Sequence, residues 1–161
     1  MAIVMNVAGY AEALNGAVVV RIADHCEIPV ASIPGLVMTK LIAWLDRGQS
    51  NSKDAVDFRY LLENYAAAGN ADRLYGEELP LLAACDYVFE RAGPRLLGLD
   101  IASVASAESK QQIVRILDDP ELHGRLVMHM LRSESRSDDP VSATENLLAE
   151  FRIGLVDWLG P

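Results

Sequence analysis

Between residues 32 and 69 apolar side chains recur at helical spacing, stop, and begin again, and this doubled pattern constrains the fold most. Val37, Leu41, Trp44 and Leu45 form the first stripe; Phe58, Leu61, Leu62 and Tyr65 form the second. A period near 3.6 residues places such side chains on one buried face of a helix. Ser32 can cap the first helix, Pro34 suits its first turn, and Gly48 ends it. Ser52 can cap the second, which runs from Lys53 to about Ala67 and closes at Gly69. The polar stretch from Gln49 to Ser52 leaves room only for a short loop, so the two helices form a hairpin.

The rest of the chain is read around that pair. Ile3 to Val7 is apolar and β-prone, and Tyr10 to Leu14 suits a short helix. Ala17 to Ile22 and Cys26 to Val30 read as the two strands of a hairpin that turns near Asp24 and His25. Two strands alone are marginal in water, so this hairpin is expected to lean on something else. A third helix is expected from Pro80 to Arg91, broken by Gly93 and Pro94, with Arg95 to Ile101 beginning another. Ser109 to Leu117 and Pro120 to about Arg132 follow as helices. Ser133 to Pro140 is polar and reads as a linker. Ser142 or Thr144 then starts a last helix with Leu147, Leu148, Phe151, Leu155 and Trp158 on one side. The expected fold class is α+β: a short N-terminal β element followed by a mainly helical domain. The expected organisation is a core over residues 1–133, a linker over 134–141 and a C-terminal helix over 142–161.

Composition removes several function classes. The chain has 14 Lys plus Arg against 23 Asp plus Glu, a net charge of −9, which disfavours nucleic acid and anionic membranes. No stretch approaches the length of an uncharged apolar membrane span. Cys26 and Cys85 are the only cysteines, too few for a disulfide framework or a zinc knuckle, so a reducing, cytoplasmic setting is expected. His25 falls in a turn and is expected at the surface. His123 and His129 lie six apart on one helix and do not share a face as a metal pair. Asp118, Asp119 and Glu121 read as a capping cluster, and no metal site is named.

Charge placement in the helical hairpin is the exception to this plain pattern. At about 100° per residue, Lys40 falls about 60° to one side of Val37 and Arg47 about 20° beyond Lys40. Both lie at the edge of the buried stripe, with the small Ala43 beside them. On the second helix Asp54 falls inside the apolar arc and Asp57 at its edge. A carboxylate aimed into apolar packing needs a cation or hydrogen bonds. Two readings stay open: interhelical salt bridges that fix the hairpin, or a basic group aimed at a phosphate and held by a neighbouring acid.

The stretches Pro29 to Leu36, Lys40 to Arg47 and Lys53 to Asp57 resemble the third motif of predicted nucleotidyltransferases related to abortive-infection (AbiEii-like) toxins. Lys40, Ala43, Arg47, Lys53, Asp54 and Asp57 match that pattern in order. Met5 to Leu14 and Ala92 to Gly98 resemble its flanks, so the likeness covers roughly residues 5–101. The resemblance implies transfer of a nucleoside monophosphate from a nucleoside triphosphate. It implies Mg2+ held by two aspartates at alternating positions of a strand, after a Gly-Ser or Gly-Gly turn. It implies catalytic roles for Lys40 and Asp57, and phosphate-contacting or supporting roles for Arg47, Lys53 and Asp54.

The chain has no Gly-Ser or Gly-Gly pair and no Asp-x-Asp or Asp-x-Glu pair on an N-terminal strand. Only a partial nucleotidyltransferase fold, its C-terminal part, is therefore expected. A truncated gene, a degraded relative and a separately encoded first half all fit. The isolated chain is expected to be inactive and to hold no cofactor, although the family implies Mg2+ and a nucleoside triphosphate. A homodimer, or a complex with another polypeptide, is expected through the N-terminal β element, whose edge and apolar face lack cover.

Overall fold

In a computed structural model, residues 9–47, 51–132 and 138–157 are described. The chain is α+β, mainly helical, with one two-stranded antiparallel sheet near its N-terminus. No helix among the described residues is long and apolar enough to cross a membrane. The strand expected over Ile3 to Val7, the helix end at Gly48 and Trp158 lie outside the described residues.

The first elements are α1 (Tyr10–Asn15), β1 (Val18–Ala23) and β2 (Cys26–Val30). The turn at Asp24 and His25 is where the sequence places it, and His25 takes a left-handed backbone with φ 65°. Val18 pairs with Val30 and Val20 with Ile28, while Val19 pairs with Pro29 and Arg21 with Glu27. Pairs alternate between faces. One face therefore carries Val18, Val20, Ile28 and Val30, and the other carries the Arg21–Glu27 ion pair at 2.8 Å. The expectation that the hairpin leans on a neighbour is not met among the described residues: every residue of both strands is exposed.

The helical hairpin forms as α2 (Ile33–Arg47) and α3 (Lys53–Asn64). Val37, Met38, Leu41 and Trp44 of α2 pack against Ala55, Phe58 and Leu62 of α3 in one buried cluster. Gly69 ends the following turn with φ 92°, a left-handed conformation that glycine adopts freely.

Beyond the hairpin the sequence reading needs correction. The expected helix over Pro80 to Arg91 is two elements. After α4 (Ala71–Tyr75), α5 (Leu79–Ala84) ends at Cys85, and α6 (Phe89–Val104) starts afresh. Gly93 and Pro94 do not break α6; they lie inside it. Proline removes one helical hydrogen bond, but the run from Ala92 to Gly98 is buried on every side, and packing overrides local propensity. Both glycines of that run are contact points. A Cβ on Gly93 would meet the Ala66 Cβ at 3.2 Å, and one on Gly98 would lie 2.8 Å from the Leu155 nitrogen.

Helices α7 (Ala107–Asp118), α8 (Pro120–Met130) and α9 (Pro140–Arg152) follow, and a π-helical turn (Ile153–Asp157) continues α9. Helix α9 begins at Pro140, two residues before Ser142, because the Asp139 side chain caps it by accepting from the Ser142 N–H. Phe151 of α9 packs edge-on against Phe58 of α3, with ring centres 5.2 Å apart.

Glu12 fastens α1 to the start of α7, accepting from the Ser109 hydroxyl at 2.7 Å. Hydrogen bonding by Ser106 and then Ser109 holds its carboxyl down, from 4.5 to about 2. A depressed carboxyl stabilises the fold above its unfolded value and stops doing so as pH falls through its folded value. Between pH 4.5 and 2 the native chain should therefore lose more stability than Glu12→Gln. Urea midpoints measured across that range check this; parallel acid limbs would contradict it.

Candidate functional site

The α2–α3 hairpin brings together the charged residues that the sequence singled out. Lys40 leaves α2 three residues after Val37, and its Nζ donates to Asp57 Oδ2 at 2.6 Å and to Asp54 Oδ1 at 3.4 Å. Arg47 Nη1 stands 3.7 Å from Asp54 Oδ2. The four side chains form a chain of charges, Arg47–Asp54–Lys40–Asp57, along the seam between two helices. Asp54 is buried, as its place inside the apolar arc requires, while Asp57 is partly exposed at the edge. Lys53 is separate: it is exposed at the first position of α3 and makes no ion pair among the described residues.

Burial pulls the Lys40 ammonium down, but hydrogen bonding and charge from Asp57, then from Asp54, outweigh it and hold lysine above its usual value. The pair's contribution on this side is complete below 10.5 and is lost as pH rises through the raised folded value. Lys40 is therefore charged at physiological pH, and its donors are aimed at carboxylates of its own chain.

Mg2+ needs several oxygen ligands around an open centre. Here the centre between Asp54 and Asp57 is filled by the Lys40 ammonium. No group of three or more His, Cys, Asp or Glu among the described residues is placed to hold a metal. Asp54 and Asp57, closed on Lys40, do not fit that ion.

Three further polar clusters escaped the sequence reading. The Tyr65 hydroxyl donates to Asp100, which also accepts from Arg73 at 2.8 and 2.9 Å. Glu150 of α9 accepts from Arg91 at 2.6 Å and from Arg95 at 2.8 Å, both on α6. Trp44 donates its indole N–H to His129 Nδ1 at 3.0 Å, joining α2 to α8. A legible signal existed only for the last: a tryptophan in a buried stripe needs a partner for its N–H. His123 has a separate partner, Glu145, at 2.6 Å, so the two histidines face different neighbours as their spacing implied.

A family model described as nucleotidyl transferase AbiEii toxin, type IV TA system, matches residues 5–139, which is most of the chain. The chain belongs to the AbiEii nucleotidyltransferase family. No curated protein and no solved structure gives a significant match. The match spans the Lys40–Asp57 cluster and continues through α8, well past the stretch to residue 101 over which the motif and its flanks are recognisable. Membership supports a nucleotidyltransferase-like function, and that family chemistry uses a nucleoside triphosphate and a metal ion.

Proposed function

We propose that this chain is the helical, motif-bearing part of a nucleotidyltransferase-like protein and that by itself it transfers no nucleotide. The observation that carries this is the closure of Lys40 on Asp57 and Asp54 at 2.6 and 3.4 Å. Lys40 and Asp57 stand in the family's catalytic positions, with Arg47, Lys53 and Asp54 as phosphate-contacting or supporting groups. One lysine already neutralised by two carboxylates cannot supply the charge stabilisation that a metal pair gives a transferred phosphoryl group. The 161 residues contain no Gly-Ser or Gly-Gly turn and no alternating aspartate pair on an N-terminal strand. The test is incubation with each labelled nucleoside triphosphate, Mg2+ or Mn2+, and RNA or protein acceptors. No label should transfer. Transfer that disappears in Lys40→Ala would overturn the reading.

The ribbon supports association through the N-terminal β element, as a homodimer or a complex with another polypeptide. Among the described residues nothing covers the aliphatic face of Val18, Val20, Ile28 and Val30, and none pairs with the outer edge of β1, which has no proline. Such edges and faces recruit partners. Light scattering over a concentration series should give a mass above one chain, falling to one chain in Val20→Lys. A single-chain mass at every concentration would contradict this. The same uncovered ribbon favours a second reading, a split enzyme in which another polypeptide brings the glycine turn and the aspartate pair. The family's description supports an antitoxin as a further partner. Free Cys26 and Cys85 are in keeping with a cytoplasmic setting.

A further inference from the structure

His129 is the buried titratable group that the proposed function leaves unused. It is 7 % exposed, and Trp44, its partner, is fully buried. The indole N–H can donate only to an unprotonated nitrogen, so Nδ1 carries no proton and the ring is neutral with its proton on Nε2. The two rings meet edge-on at 85°. The Arg125 guanidinium lies 4.6 Å from the centre of the same Trp44 ring.

The charges around the imidazole all oppose its protonation. Helices α3, α7 and α9 pack against α8, yet the charged groups acting on His129 are Arg125 of α8 and Arg132, two residues past its end. From α2 it faces a neutral indole. Burial comes first and the two arginines add to it, and together they hold the imidazole below its ordinary value. His123 on the same helix differs in its surroundings, with a Glu145 carboxylate oxygen 2.6 Å from its Nε2.

The end of α8 touches both helices of the charged hairpin. Trp44 lies one turn beyond Lys40 on α2. Arg132, three residues past His129, donates to the Ser52 hydroxyl at 3.4 Å, and Ser52 immediately precedes Lys53 and Asp54 of α3. We propose that His129 is a positioning residue for the Lys40–Asp54–Asp57 cluster and that it acts only as the neutral imidazole. A proton taken from solvent at Nδ1 removes the acceptor for Trp44 and sets a third cation between Arg125 and Arg132. The α2–α8 contact then opens, and the carboxylates lose their fixed register with Lys40. A histidine held below its unfolded value of 6.5 stabilises the closed form above that pH and stops doing so as pH falls through its folded value. The geometry of the cluster depends on His129 in this way whether or not nucleotide is transferred.

The test is a titration from pH 8 to 4 of the full chain carrying Trp158→Phe, so that Trp44 is the only fluorophore of its kind. His129 and the Asp57 carboxylate are followed by NMR, Trp44 by its emission, and the helices by circular dichroism. Trp44 emission should shift red with the same midpoint as His129, below 6.5, while the helical signal persists. The Asp57 resonance should move with that midpoint. His129→Asn keeps an acceptor near the Nδ1 position without titrating, and should abolish both transitions across this window. His129→Phe should show the red-shifted emission at every pH. Three results would overturn the proposal: Trp44 emission that ignores the His129 titration, an Asp57 resonance that ignores it, or unfolding of the whole chain in step with it.

Discussion

Gly154→Ala is expected to cost about 3 kcal/mol or more of folding stability, because the new methyl has nowhere to go. A Cβ on Gly154 would fall 2.8 Å from the Arg95 carbonyl carbon and 3.0 Å from the Leu99 nitrogen. Both are main-chain atoms in the middle of a buried helix, so neither a rotamer change nor a small tilt relieves the overlap. Gly98, on the opposite side of the same crossing, meets the backbone of Phe151 and Leu155 in the same way. The two glycines let α6 and the end of α9 touch backbone to backbone. Gly124 supplies the control. It lies inside α8 with no atom within 4 Å of an added Cβ, so Gly124→Ala should gain about 0.5–1 kcal/mol from helix propensity. Urea midpoints of the three proteins check both signs. A Gly154→Ala protein as stable as the native chain would contradict the packing described.

Glu150→Ala is expected to cost about 3–5 kcal/mol, since it takes one carboxylate from between two arginines. Arg95 is 6 % exposed, and its guanidinium donates to Glu150 Oε2. Arg91 is partly exposed and keeps Asp86 at 2.6 Å, so most of the cost falls on Arg95. Replacing both members with methionine should recover much of the loss, because the buried charge leaves together with its partner. The measurement is a double-mutant cycle of Arg95→Met and Glu150→Met by denaturant unfolding. An additive double mutant would show that the pair is not coupled.

The legibility of the chain followed the range of the interactions. Elements set by local pattern were readable: the β hairpin turning at Asp24, the α2 stripe, the Gly69 stop and the proline-led start of α8. The charged seam was readable for the same reason. Helical spacing put Lys40 and Arg47 at one edge of α2 and Asp54 and Asp57 on the facing side of α3, and a short loop made the two faces meet. What failed was set by contacts distant in sequence. Gly93-Pro94 is a breaker in isolation, yet it is interior to α6, where Ala66 packs close on Gly93 and Phe151 and Leu155 pack close on Gly98. Arg95–Glu150 and Trp44–His129 join residues 55 and 85 positions apart, and no spacing rule links them. The hairpin's exposure is the reverse case: two strands alone are marginal in water, which implied a cover that no described residue supplies.

Lys40 is satisfied from within its own chain, by Asp57 and Asp54. A triphosphate would have to displace two carboxylates from its ammonium, on a protein whose net charge of −9 already opposes anions. The most direct test is a calorimetric and NMR titration of the isolated chain with a Mg2+–nucleoside triphosphate, run beside Lys40→Ala. The predicted result is no saturable heat and no shift at Lys40, Asp54 or Asp57. Saturable binding that vanishes in a folded Lys40→Ala protein would contradict it.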